Sequence, residues 1–467
     1  MFTMKSKLCL AAGLLALTAI ACGDDAGDPI DAAVPIPDQF VPGIDADTTD
    51  APLGTPDAFV VTPLDVTADI TADTTWTRDH SYTLKTHIFV RSGTLTIQSG
   101  VTILGDTGSS LVVTSAGQID AQGTATEPVV FTSSQPVGSR VGGDWGGVVL
   151  LGLAPINITG GTAQIEGFPA GTMGTTYGGT APTHDCGTLM YVEIQFAGFL
   201  LAPGNELNGL TVGACGSGTT LDFIHVHQGS DDGIEFFGGT ADIKHLIVSQ
   251  NQDDGLDWDY GWIGRVQYVI VQQSLLSNQG IEADNNGTAN DALPRSMPTI
   301  YNATLVGSDA APGGATQVQK GMHLRRGTAG RIHNAIVAHF ADFPIDVDGA
   351  PAVAQTPANL FIKNSIFFDN GNQVLWADAT DNDAGFDEGA YFRDAAMTNS
   401  FANREVDPQI TTALSQTAPN FMPPAGSPAL TGAATPPNDG FFNTAATFVG
   451  AVGATDWTLD WTTYPQN

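Results

Sequence analysis

The second half of the chain repeats itself, and that repeat restricts the folds open to it. IKHLIV (from Ile243), VQYVIV (Val266), IYNATLV (Ile300), RIHNAIV (Arg331) and FIKNSIF (Phe361) align as one recurring strand. One column of the alignment holds His245, Tyr268, Asn302, Asn334 and Asn364. A second recurring unit aligns DDGIE (Asp231), DDGLD (Asp253), NQGIE (Asn278), KGMHL (Lys320) and FPIDV (Phe343). The pieces are short, alternate apolar and polar residues, and are separated by Gly, Ser and Asn without an amphipathic helix, which predicts an all-β chain. A single coil of this size cannot bury its apolar residues alone, whereas stacked coils form a continuous core, so the expected fold is a right-handed parallel β-helix. A β-sandwich or propeller is the alternative, but neither requires copies to stack in register at irregular coil length. Asn side chains stacked in one column suggest an amide ladder at a corner.

Upstream of the repeats the chain changes character. Lys5 and Lys7 precede the apolar run LCLAAGLLALTAIA, which reads as an export signal over residues 1–21. It ends in Ala19-Ile20-Ala21-Cys22, which resembles the lipobox of bacterial lipoproteins and makes Cys22 the expected lipidated residue. Ala19 departs from that pattern, so export without lipid stays open. Residues 22–75 are rich in Asp, Pro and Thr and lack hydrophobic periodicity, as expected of a disordered tether. The β-helix is expected over 76–410, followed by a loop-rich capping segment over 411–467. Counting 16 Lys and Arg against 49 Asp and Glu leaves a net charge of −33, which disfavours nucleic acid and anionic membrane surfaces as partners and favours cations. Cys186 and Cys215 form an even pair in an exported chain and suggest one disulfide, two buried thiols being the alternative.

The strings GVTILGD, GQIDAQGTATEPVVFTSS and DWGGVVLLG are similar to the early coils of a family of secreted bacterial right-handed β-helix proteins, many of them lipoproteins, with a pectate-lyase-like superfold. NELNGLTVGACGSGTTLDFIHVHQGSDDGIEFFGGTADIKHLIV and the terminal FVGAVGATDWTLDWTTY resemble the same family, so the likeness covers most of the chain from Trp76 onward. The resemblance implies fold and export. It leaves the chemistry open.

The acids of the second unit are the chemical question. Asp-Asp-Gly reads first as a corner, with Asp capping its own turn and Gly supplying a positive φ. Strand alternation sends the next acid outward, which predicts a column of Glu235, Asp257, Glu282, His323 and Asp346. Beside it runs a second column of Phe237, Asp259, Asp284, Arg325 and Asp348. Like charges stacked across a ladder repel, so something must offset them. Calcium is one answer, because hard cations take six to eight oxygens. Glu235, Asp253, Asp254, Asp257 and Asp259 are the expected ligands. Catalysis on a polysaccharide is another, since β-helices of the pectate lyase and polygalacturonase type bind sugar polymers along such a face. Glu235, Asp257, Glu282, His323 and Arg325 would then act. Trp258, Trp262, Tyr260 and Phe237 could stack on sugar rings, though the parity of Trp258 points it to the core. His225 and His227 share one side of a strand and could hold a metal, but packing is the simpler role.

The expected function is therefore cell-surface or outer-membrane binding or adhesion, to glycans, by a lipid-anchored β-helix with calcium on its acidic face. The alternative is a calcium-dependent polysaccharide lyase or glycoside hydrolase on the same face. A purely structural surface protein is the third reading.

Overall fold

The computed structural model describes residues 61–202, 205–371, 383, 385–393 and 401–467. The expected signal peptide, Cys22 and most of the tether lie outside the described residues. Two large sheets, of nine and sixteen strands, contain only parallel neighbours. They wind into a right-handed parallel β-helix, the hand that parallel crossovers take. Paired strands begin at Thr62–Val66, against His80–Leu84. The tether boundary at residue 75 is thus corrected, because residues 62–66 and 74–76 already pair in the solenoid. Cys186 and Cys215 are joined as a disulfide, with their Cα atoms 5.8 Å apart.

Each coil presents three faces. The nine-stranded sheet forms the first and contains Ile234–Phe237, Leu256–Asp259, Ile281–Ala283 and Met322–Leu324. In early coils the second and third faces use separate strands, such as Gly117–Gln122 and Val129–Ser133. Both of these pair with the single long strand Gly187–Gln195, and later coils keep such a strand, bent in the middle. The bend is one residue with a left-handed backbone in every coil: Tyr191, Phe223, His245, Tyr268, Asn302, Asn334 and Asn364, with φ between 46° and 64°. Asn tolerates this region best among residues with a side chain. The aromatic members instead stack ring on ring, at 4.3 Å from Tyr191 to Phe223, 4.1 Å to His245 and 4.8 Å to Tyr268.

The expected amide ladder among the asparagines is not formed. Asn302 donates to Phe448 O at 2.7 Å, Asn334 to Ala434 O at 2.8 Å and Asn364 to Gly432 O at 3.2 Å. All three acceptors lie in the C-terminal segment, which runs back along the side of the solenoid over the third face. There Ile247, Ile270, Val306, Ile336 and Ile366 point outward and are buried beneath Ile410, Phe421, Val449, Val452 and Trp461. Each such aliphatic burial stabilises by about 1.5–3 kcal/mol. Trp461 also meets Tyr191 and Phe223 edge-on, at 5.8 and 5.9 Å.

Candidate functional site: a split ionic column

On the first face the backbone register aligns Phe89, Val112, Val149, Thr211, Glu235, Asp257, Glu282, His323 and Asp346. The outward column expected from sequence is therefore real, and it extends upstream. Its early members are apolar and packed under Ile156, Ile165 and Phe168 of the connection after Val148–Leu151. From Glu235 onward the column is ionic. These groups are not spread on an open sheet: Glu235 is 8% exposed, Glu282 9% and Asp346 1%.

The corner before the column works differently from the expectation. Asp232 Oδ1 accepts the amide of Asp254 in the next coil at 2.9 Å, and Asp254 Oδ1 accepts that of Gln279 at 2.6 Å. Gln279 Oε1 in turn accepts the Lys320 amide at 3.0 Å. The carboxylates therefore tie coils together along the axis. Gly233 and Gly255 do not have positive φ. A Cβ at Gly233 would lie 2.2 Å from Val248 Cγ1, and one at Gly255 would lie 2.4 Å from Val271 Cγ1. These glycines are required by close packing between faces, not by turn geometry.

Charge divides the column into two halves. In the later half Arg325 pairs with Glu282 and, through Nε, with Asp284 Oδ1 at 2.9 Å. Arg326 reaches Asp284 Oδ2 at 2.6 Å, and Lys320 pairs with Asp346. His323 sits between Glu282, at 3.5 Å, and Asp346, at 3.4 Å. Burial alone pushes the Glu282 carboxyl up, but contact with His323 and the Arg325 charge outweigh it and hold it below the usual range.

The earlier half lacks such partners. Asp232, Glu235, Asp254 and Asp257 form no ion pair with a basic side chain among the described residues. Glu235 accepts from Asn208 Nδ2 at 2.8 Å, and Asp257 accepts from the amide of Trp258. One oxygen each of Asp232, Glu235 and Asp257 lie within 4.8 Å of one another, as do those of Asp254, Asp257 and Glu282. Burial first, and repulsion from neighbouring carboxylates second, push Asp232, Glu235, Asp254 and Asp257 well above the ordinary carboxylate range.

Of the five expected ligands, Glu235 and Asp254 each meet Asp257, but in two separate groups, Glu235 with Asp232 and Asp254 with Glu282. Asp253 instead groups with Asp231 and Asp232, and accepts from Asn278 at 3.1 Å. Asp259 belongs to neither group around Asp257; its carboxylate accepts the Tyr260 amide. Asp232 and Asn208 were missed as members of the site. Asn208-Gly209-Leu210-Thr211 is a further copy of Asp-Gly-Ile-Glu, with amide and hydroxyl in place of acids, and that pattern was visible in the sequence. Trp258 and Trp262 are fully buried in the core, so neither is available to stack on a sugar. Phe237 is 5% exposed and packed against Tyr177 and Tyr260.

His225 and His227 are also fully buried, under the end of the C-terminal segment. His225 Nε2 and His227 Nδ1 both contact Ser249 Oγ at 2.7 Å, and His227 Nε2 contacts Pro465 O at 2.8 Å. They are packing histidines. A group not foreseen, Asp309, His339 and Asp369, stacks on three neighbouring coils, with His339 Nδ1 3.2 and 3.4 Å from the two carboxylates. His339 and Asp369 each stand five residues after the recurring asparagine, Asn334 and Asn364, so this pair was visible in the repeat, whereas Asp309 follows Asn302 by seven.

In a comparison with protein families the chain matches the pectate-lyase-like β-helix domain over residues 68–409. The comparisons with curated proteins and with solved structures returned no match. The matched span covers most of the chain and coincides with the stacked coils, the split ionic column included. The chain therefore belongs to the pectate-lyase-like β-helix domain family.

Proposed function

We propose that this protein is an exported, lipid-anchored surface β-helix that binds glycans through calcium held at the earlier half of its ionic column. One observation carries the reading: buried Asp232, Glu235 and Asp254 surround half-buried Asp257 in two groups that share it, and none of the four has an ion pair to a basic side chain among the described residues, while Glu282 one coil on is paired with Arg325. The donor set is all oxygen, without thiol or imidazole, which suits a hard cation. Asp232, Glu235 and Asp257 would hold the ion, with Asp254 and Glu282 grouped on the other side of Asp257. Calcium wants six to eight oxygens, so positions remain for water and for sugar hydroxyls. A pectate-lyase-like fold fits a carbohydrate-related protein, and anchorage at Cys22 would place it on a membrane surface. Binding to a glycan panel, with and without chelator, tests this: the expected result is retention of one or more glycans that chelator abolishes. Retention indifferent to calcium would refute it.

A second reading, a calcium-dependent lyase or glycoside hydrolase on the same face, is favoured by one pairing. Asp257 is pushed toward its protonated form while neighbouring Glu282 is held ionised, the divergence an acid and a base need. His323 and Arg325 would then orient or neutralise the substrate. Release of reducing ends or unsaturated uronates, lost in Asp257→Asn, would favour this reading; binding without turnover favours the first. Calcium binding with no glycan retained at all would leave a structural surface protein.

A further inference from the structure

At the end of the third face three consecutive coils turn toward the first through a glutamine. Gln228, Gln250 and Gln273 occupy this place in consecutive coils, as their amides bond to Ser249 O, Gln272 O and Val306 O at 2.9, 2.7 and 2.9 Å. Here the amides do join along the axis: Gln228 Nε2 donates to Gln250 Oε1 at 3.2 Å. The C-terminal segment crosses the same corner. Gln250 Nε2 donates to Gln416 O at 2.7 Å, Gln416 Nε2 to Gln273 O at 3.2 Å, and Gln466 Nε2 to Gln416 O at 2.8 Å.

Between corner and segment lies a cavity of about 530 Å³. Six glutamines line it: Gln228, Gln250, Gln252, Gln273, Gln416 and Gln466. The rest of the wall is leucine, serine and glycine, without an ionisable or aromatic side chain. Leu275 and Leu276 stand at this wall 53% and 50% exposed. Three buried amide atoms of lining residues, both of Gln273 and Oε1 of Gln416, have no hydrogen-bond partner among the described residues.

This chemistry selects its ligand by exclusion and by match. A wall without charge cannot offset the charge of a phosphate, a uronate or a metal ion. Each primary amide presents a donor and an acceptor side by side, as vicinal hydroxyls require. The leucines can cover the C–H face of a ring, and the volume is that of a small-molecule site, within about 300–1,000 Å³. We propose that the glutamine-lined cavity between the coil corner and the C-terminal segment binds a neutral saccharide unit. This site is separate from the ionic column, and its occupancy does not depend on calcium.

Saturation-transfer NMR on the full chain in EDTA, with glucose, galactose, mannose and sorbitol as probes and galacturonate as the anionic control, tests it. At least one neutral probe is expected to give transfer and galacturonate none. Leu275→Trp, which adds bulk at an exposed position, is expected to weaken that binding about tenfold or more at an unchanged melting temperature. Asp257→Asn should leave it intact, which separates this inference from the calcium reading. No transfer to any neutral probe, a preference for galacturonate, or binding unaffected by Leu275→Trp would overturn it.

Discussion

Arg325 faces two carboxylates from adjacent columns, and its loss would leave Glu282 with His323 and Asp284 with Arg326 as their remaining basic neighbours. Glu282 and Asp284 are nearly buried, so Arg325→Ala is expected to destabilise the fold by about 3–5 kcal/mol in urea unfolding. A change below the error of the measurement would contradict its role. Asp257 predicts the opposite sign. Without calcium, Asp257→Asn removes one of several repelling buried carboxylates, so its melting temperature should equal or exceed that of the parent. With calcium it should lose the gain the parent shows. The stacking of Glu235, Asp257 and Glu282 was legible in the sequence because strand parity is a property of the strand alone. The role of Asp232 was not, because its acceptor contact is to an amide in the next coil, a partner that local turn chemistry does not reveal.

The third-face strands and the C-terminal segment form a second unit of design. Leu246-Ile247-Val248 and Val269-Ile270-Val271 are apolar without alternation, the mark of a strand covered on both sides. The covered strands are thus legible, but not their cover: residues 411–467, expected as a cap, lie along the side of the third face instead. Trp461→Ala should cost about 3–5 kcal/mol and free the segment to proteolysis; an uncut, equally stable variant would contradict this docking. Glu193 adds a pH dependence. It accepts from Thr463 and Gln195, faces His225 at 3.8 Å with Tyr464 nearby, and burial raises it from 4.5 to about 7. Between those values the folded chain keeps a proton that the unfolded chain has lost, so stability falls as pH rises through this window. His225 and His227 act oppositely: burial lowers both, His227 from 6.5 to about 4, and stability falls as pH drops below 6.5. Above 6.5 the histidine contribution fades, while the carboxylate titrates up to about 7 and beyond, and Glu193→Gln removes the carboxylate part alone. Melting curves from pH 6.5 to 8 should therefore fall more steeply for the parent than for Glu193→Gln, and parallel curves would sink the assignment.

For the whole molecule, the repeat made the solenoid legible, because coils that must stack to bury their core also fix which side chains share a column. The division of that column was not legible, since it depends on which basic side chains reach back across coils. Arg325, Arg326 and Lys320 all serve the later half. What offsets the earlier half is the central claim, and calorimetric titration of the chelator-stripped full chain with calcium tests it most directly. A saturable calcium site is expected in the parent, absent in Asp257→Asn with the fold intact. No binding in the parent, or equal binding in the variant, would contradict the account.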